Sequence, residues 1–132
     1  MLHKELTEKI LGACFEVSNE LGCGFLESVY EKALSVVLKS YRLKVESQAV
    51  CKVNFRHHCV GEFRADLLVE DKVIVELKAV KSIAPEHFAQ TMNYLKVSGL
   101  DVGLLVNFGR PRLEYQRIHT PVFSQKDCLP RT

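Results

Sequence analysis

Apolar residues recur along the chain first at helical spacing and then at strand spacing. Ile10, Leu11, Cys14, Phe15, Ser18 and Leu21 return at three- and four-residue steps, which predicts a helix from about Thr7 to Leu21 with one apolar face. Thr7 is placed to cap it, and Gly22 stands where a terminating glycine belongs. A second helix is expected from just after Gly24 to about Tyr41, striped by Val29, Tyr30, Ala33, Leu34, Val37, Leu38 and Tyr41. Glu27 falls in its first turn, at the edge of that stripe.

The period then shortens to two. Lys44 to Asn54 reads as a strand with Val45, Ser47, Ala49, Cys51 and Val53 on one face, and Val60 to Val69 as another. In a third, Val73 to Ala79, the valines, Leu77 and Ala79 point one way, and Ile74, Glu76 and Lys78 the other. A third helix follows, opened by Pro85 and closed by Gly99, with Phe88, Met92 and Leu95 on its apolar face and His87, Gln90 and Tyr94 on a different one. Val102 to Phe108 is a continuous apolar run of the kind buried on both faces of a sheet. Leu113 to Ile118 suggests a last strand. The order α-α-β-β-β-α-β-β predicts an α/β domain, a mixed sheet flanked by helices, spanning residues 1–132 with its core at about 6–118 and a tail at 119–132.

Three charges interrupt the apolar strands. Asp66 lies in Arg64-Ala65-Asp66-Leu67-Leu68-Val69, and Glu76 and Lys78 lie in Val75-Glu76-Leu77-Lys78-Ala79. A lone charge is costly to bury, so such residues are normally paired or bind a metal. Glu76 and Lys78 share a strand face and can serve one centre. Asp66 and Glu76 would hold Mg2+ through oxygen (Mn2+ suits the same donors), Glu27 would join them from the second helix, and Lys78 would orient water or offset charge on a phosphodiester undergoing hydrolysis. This demands that Asp66 and Glu76 point to the same side of their hairpin. Pairing them directly also pairs Val69 with Val73 and leaves Glu70-Asp71-Lys72 as the loop; otherwise a bulge beside Asp66 is required.

Taken singly, each residue has an ordinary explanation. Glu27 can be a first-turn carboxylate favoured by the helix dipole, Glu76 and Lys78 an exposed ion pair, Asp66 a turn cap, and Gln90 and Tyr94 surface residues. It is their ordered combination that points to chemistry.

Composition narrows the picture further. A net charge of +2 does not by itself argue nucleic-acid binding, although Lys72, Lys78, Lys81, Arg110, Arg112 and Arg117 cluster in the second half. The five cysteines include no CxxC pair, and His57-His58-Cys59 has no second ligand pair, so reduced thiols and no structural zinc are expected. No apolar run is long enough to span a membrane and the first residues lack a signal-peptide core, so a cytoplasmic protein is expected. Phosphate-binding glycine loops are absent.

Gly24-Phe25-Leu26-Glu27-Ser28-Val29-Tyr30 resembles the pattern that names the GxxExxY proteins. The segments around Asp66, Glu76 and Lys78, Gln90-Thr91-Met92-Asn93-Tyr94 and Gly103 to Gly109 are similar to the same family, so the likeness runs from about Leu6 to Ile118. That family is assigned to the PD-(D/E)XK nuclease superfamily. The resemblance implies a restriction-endonuclease-like core, Asp66 and Glu76-Leu77-Lys78 as metal-binding and catalytic residues, and Glu27 as the helical acidic residue. It also implies Gln90 and Tyr94 as a QxxxY pair close to the active site. Ala65 stands where the superfamily's name has proline.

The leading expectation is therefore a metal-dependent nuclease acting on DNA rather than RNA. A catalytically silent nucleic-acid-binding or protein-interaction module is the alternative, and a small-molecule phosphodiesterase a weaker one. Specific protein–DNA interfaces bury on the order of 1,000 Å² or more, so so short a chain is expected to work as a homodimer or with a partner protein.

Overall fold

The computed structural model describes residues 1–120. The sequence folds as α1 (Lys4–Leu21), α2 (Glu27–Ser40), β1 (Val45–Phe55), β2 (His58–Val69), β3 (Val73–Lys78), α3 (Pro85–Ser98), β4 (Val102–Asn107) and β5 (Glu114–His119). The strands form one sheet in sequential order, antiparallel except for β3 and β4, which run parallel and are joined through α3. This is the mixed sheet with flanking helices expected from the periodicity. His119 closes β5 rather than opening a tail, and the rest of the expected tail, residues 121–132, lies outside the described residues.

Two apolar layers sandwich the sheet. On one face Ile10, Ala13, Cys14 and Val17 of α1 and Tyr30, Leu34 and Leu38 of α2 pack on Leu67, Val69, Val73, Val75 and Leu77. On the other, Leu95 of α3 packs on Ala65, Ile74, Leu105 and Ile118. Alternation on β3 sends Ile74 and Glu76 towards the α3 side, and all six residues of β4 are buried, as the apolar run predicted. Gly103 brings α3 close, because a Cβ there would stand 3.3 Å from Thr91 Cγ2. Burial pushes the Cys14 thiol up to about 12, so it behaves as a small core hydrophobe. Cys14, Cys23, Cys51 and Cys59 are all free.

Several local expectations are corrected. Thr7 does not cap α1: the helix begins at Lys4, and the buried Thr7 hydroxyl donates to the Lys4 carbonyl at 3.0 Å. Of the face expected on α1, Ile10, Cys14 and Ser18 are buried and Leu11 packs against the core, but Ala13 and Val17 join them while Phe15 and Leu21 stay exposed, so the buried stripe is rotated towards Ala13 and Val17. Tyr30 is buried for a reason the stripe did not show. Its ring stacks on Phe108 (centroids 4.6 Å apart), and its hydroxyl donates to the Gly22 carbonyl at 2.6 Å while accepting the Phe25 N–H at 3.2 Å. The tyrosine thereby pins the turn joining α1 to α2, where Gly22 and Gly24 adopt positive φ.

Candidate active site

The hairpin between β2 and β3 has the register that the carboxylates require. Val69 pairs with Val73, Leu68 with Ile74 and Leu67 with Val75, leaving Glu70, Asp71 and Lys72 as the loop. The ladder then stops at the next position, where Asp66 and Glu76 would face each other. Instead of continuing the backbone pairing, Asp66 Oδ2 accepts the Leu77 N–H at 2.7 Å. A side chain thus takes the place of a ladder bond, and the two strands part around the acidic residues.

The same point is irregular on the other side of β2. Gln48 stands opposite Asp66 with a left-handed φ of 53°, in the middle of β1. Neither Gln48 nor Asp66 has a Cα partner there, although Ser47 pairs with Leu67 and Ala49 with Ala65. The break reverses which face the strands present. Val45 packs with the α1–α2 layer, but Ala49 and Ala65 belong to the α3 layer. The expected common face from Val45 through Val53 is therefore corrected: a positive φ within a strand interrupts the alternation.

Glu31 of α2 holds this irregularity in place. Its carboxylate accepts the Ser47 hydroxyl at 2.6 Å and the Gln48 side-chain amide at 2.7 Å, and that amide also lies 3.4 Å from Asp66 Oδ1. Glu31 was not singled out in the sequence. Its one signal was its position, one helical turn after Glu27 on the same side of α2. Glu27 itself is exposed in the first turn of α2. No group of three or more His, Cys, Asp or Glu side chains that could hold a metal ion forms among the described residues. The expected trio of Glu27, Asp66 and Glu76 is thus not gathered, because α2 directs its second turn, not its first, at β1.

Glu76 is 5 % exposed, and its Oε1 is buried with no hydrogen-bond partner. Burial and then the adjacent negative charge of Asp66 push its carboxyl up to about 9, against the pull of the Lys78 ammonium. Lys78 is half-buried at the end of β3 and makes no ion pair; the two among the described residues, Lys44–Asp71 and Arg64–Glu62, involve other groups. Tyr94 of α3 completes the surroundings. Its ring stacks on Phe63 of β2 with centroids 3.9 Å apart, and burial together with the charges of Glu76 and Asp66 raises its phenol. Gln90 is exposed one turn earlier. His87 serves the fold, its Nδ1 accepting the Ala84 N–H at 3.0 Å where α3 begins.

The segment that leads from Lys78 to α3 is clamped from β4 and β5. The buried Asn107 amide donates to the Val80 carbonyl (2.9 Å) and to Glu114 Oε1 (3.0 Å), while its oxygen accepts the N–H groups of Val80 (3.0 Å) and Gly109 (2.9 Å). Glu114 also accepts the Ile83 N–H at 3.0 Å. These bonds, that from Asn107 foremost, hold its carboxyl below the usual range. A buried polar side chain with all its valences used fixes the backbone around it, so the exit from β3 is rigid.

Two carboxylates, one with a buried unpartnered oxygen, and a nearby unpaired ammonium form a donor set suited to a hard divalent cation and a phosphate. No match was found among curated proteins. Among solved structures, the crystal structure of SSO0001 is similar in fold, with a TM-score of 0.54 and 18% identity over 98% of this chain and 69% of that one. No helix among the described residues is long and apolar enough to cross a membrane. Residues 4–118 match the PD-(D/E)XK nuclease superfamily, whose members are generally dependent on divalent metals and act as nucleases. With that match covering most of its length, the chain belongs to the PD-(D/E)XK nuclease superfamily.

Proposed function

We propose that this protein is a metal-dependent nuclease that hydrolyses phosphodiester bonds in DNA rather than RNA, and that within its superfamily it stands with the GxxExxY proteins. The Glu76 carboxyl group carries this reading. An unpartnered buried oxygen costs on the order of 2 kcal/mol, and Oε1 is such an atom, held beside Asp66 and two residues from Lys78. Asp66 and Glu76 offer the oxygen donors that Mg2+ takes, and Mn2+ accepts the same set. With two carboxylates at hand the ion would keep several waters, as Mg2+ prefers. Glu27 would contribute only through water, from the exposed start of α2. When bound, the ion supplies positive charge at the scissile phosphate and acidifies nearby water.

The chain's own groups divide the remaining work. The Leu77 N–H fixes the Asp66 carboxylate before any ligand arrives. Glu76 holds a proton at neutral pH and gives it up when a cation takes its place. Lys78, unpaired, offsets charge on a phosphoryl oxygen as it develops. Tyr94 keeps its proton and offers a hydrogen bond beside the two carboxylates, and Gln90 offers its amide from the same side of α3.

The gathering of two rather than three carboxylates favours a second reading, a nucleic-acid-binding module without catalysis. One assay separates them: single-stranded DNA, duplex DNA and RNA incubated with Mg2+ or Mn2+, with an EDTA control and a matched Lys78→Ala protein. Metal-dependent cleavage that disappears in Lys78→Ala establishes the nuclease. Cleavage equal in both proteins, or absent from both while DNA is still bound, overturns it. A working homodimer is tested by light scattering, and a monomer at assay concentration counts against it.

A further inference from the structure

The hairpin formed by β1 and β2 is about twice as long as the six-residue β3, and β3 pairs only with its inner end, at Leu67 to Val69. Beyond Ala49 and Ala65 no residue of this arm is buried. Phe55 is 59% exposed at its tip, and the Arg56 guanidinium lies 5.1 Å from the Phe55 ring centroid. The tip turn, Arg56-His57, is left-handed at both positions, with φ of 49° and 69°. Such turns ordinarily take glycine or asparagine, and an L-residue with a long side chain pays about 1 kcal/mol for each. Here the strained positions hold an arginine and a histidine instead, and His58 follows, so the tip joins an exposed aromatic ring to cationic and titratable side chains.

One face of the arm leads to the carboxylates. Cys51, Val53 and Phe55 occupy alternate positions of β1 and Cys51 pairs with Phe63, while a bulge that leaves Val60 unpaired shifts the register between Val53 and Asn54 and twists the tip. Phe63 stacks on Tyr94, which stands beside Glu76 and Asp66. From Cys51 to Phe55 the strand rises about 13 Å. We propose that this face is a binding track for an unpaired nucleic-acid strand, on which Phe55 stacks a base and Arg56 meets an adjoining phosphate. Ring stacking with a nearby cation is how single strands are held without reading sequence, and a ring flush with a duplex end or groove would not be offered a free base. The track rests on the nuclease reading, since the strand it guides is the one that reaches Asp66 and Glu76.

The test uses the full chain and its Phe55→Ala, Phe55→Trp and Arg56→Ala variants, with thermal melts to confirm folding. Fluorescence anisotropy in EDTA measures binding of a labelled single-stranded oligonucleotide and of the corresponding duplex. Phe55→Ala is expected to weaken single-strand binding about five-fold or more and Phe55→Trp to restore or strengthen it. Arg56→Ala is expected to lower the slope of log affinity against log salt by about 0.7. Mn2+ binding, read by electron paramagnetic resonance, stays as in the wild type for all three. Variants that bind single strands as the wild type does, while Lys78→Ala still abolishes cleavage, overturn the track and leave the nuclease standing. A wild type that prefers duplex overturns the track as drawn, as does light scattering in which Phe55→Ala turns a dimer into a monomer, since the arm then serves a second copy of the chain. A wild type that takes up Mn2+ but binds no nucleic acid overturns the nuclease reading and the track together.

Discussion

Asp66 Oδ2 accepts the backbone N–H of Leu77 at 2.7 Å, the residue between Glu76 and Lys78. That bond sits where the β2–β3 ladder ends, so one carboxylate both closes the gap between the strands and faces the second carboxylate. The acidic pair is therefore built into the divergence of two strands rather than displayed on a flat sheet.

Removing either carboxylate should separate metal binding from chemistry. Asp66→Ala and Glu76→Ala are expected to lose high-affinity Mn2+ binding and cleavage together. Lys78→Ala should keep Mn2+ binding and lose about 100-fold or more in cleavage, as loss of a group that offsets transition-state charge does. Mn2+ titration followed by electron paramagnetic resonance, beside cleavage rates, distinguishes these outcomes. Loss of Mn2+ binding in Lys78→Ala would contradict the division of roles.

The Glu76 carboxyl makes stability depend on pH in the metal-free protein. Its folded value of about 9 lies above the ordinary 4.5 of the unfolded chain, so between those values the folded state holds a proton that the unfolded state has released. Stability from this group is complete below pH 4.5 and declines as pH rises towards 9, by at most about 1.4 kcal/mol per pH unit. Urea denaturation in EDTA across this range should show the decline, and Glu76→Gln should flatten it and raise stability at the alkaline end. Mn2+ affinity should rise over the same range, because the cation competes with that proton.

The Glu31–Gln48 contact positions Asp66 without reaching substrate itself. Gln48→Gly relieves the left-handed strain and is expected to change stability by no more than about 1 kcal/mol. It also removes the amide that bridges Glu31 and Asp66, so the cleavage rate should fall about ten-fold with the substrate KM little changed. Glu31→Gln should behave similarly. Thermal melts paired with steady-state kinetics check both, and an unchanged rate in both variants would reduce the contact to a structural one.

Gly109 is bound to its position by the clamp on the β3 exit. A Cβ there would stand 2.2 Å from the Val80 carbonyl oxygen and 2.4 Å from the Val80 nitrogen, both backbone atoms that Asn107 holds. Gly109→Ala is expected to cost about 2–3 kcal/mol by displacing that segment. Calorimetry should show a lowered Tm, and cleavage measured well below it should also fall, because Lys78 lies immediately before the displaced residues.

Much of this protein follows from local sequence alone. The switch from helical to alternating apolar spacing set the element order, and the continuous apolar run from Val102 to Phe108 marked a strand buried on both faces. Asp66, Glu76 and Lys78 stood out because charges inside apolar strands are costly unless they act together, and the count of residues between Asp66 and Glu76 called for either the three-residue loop that forms or a bulge beside Asp66. Other features depended on contacts between distant segments. Nothing local announces a left-handed Gln48 within a strand, since that backbone is held by a carboxylate on α2 and sits opposite a break in a neighbouring strand. The same tertiary bonds place Glu31 rather than Glu27 against the sheet, reverse the faces of β1, and turn Tyr30, His87 and Asn107 into fixtures of the backbone. Periodicity reports which side of an element is apolar; only packing decides which turn of a helix meets a given strand, and hence which carboxylate stands nearest the site.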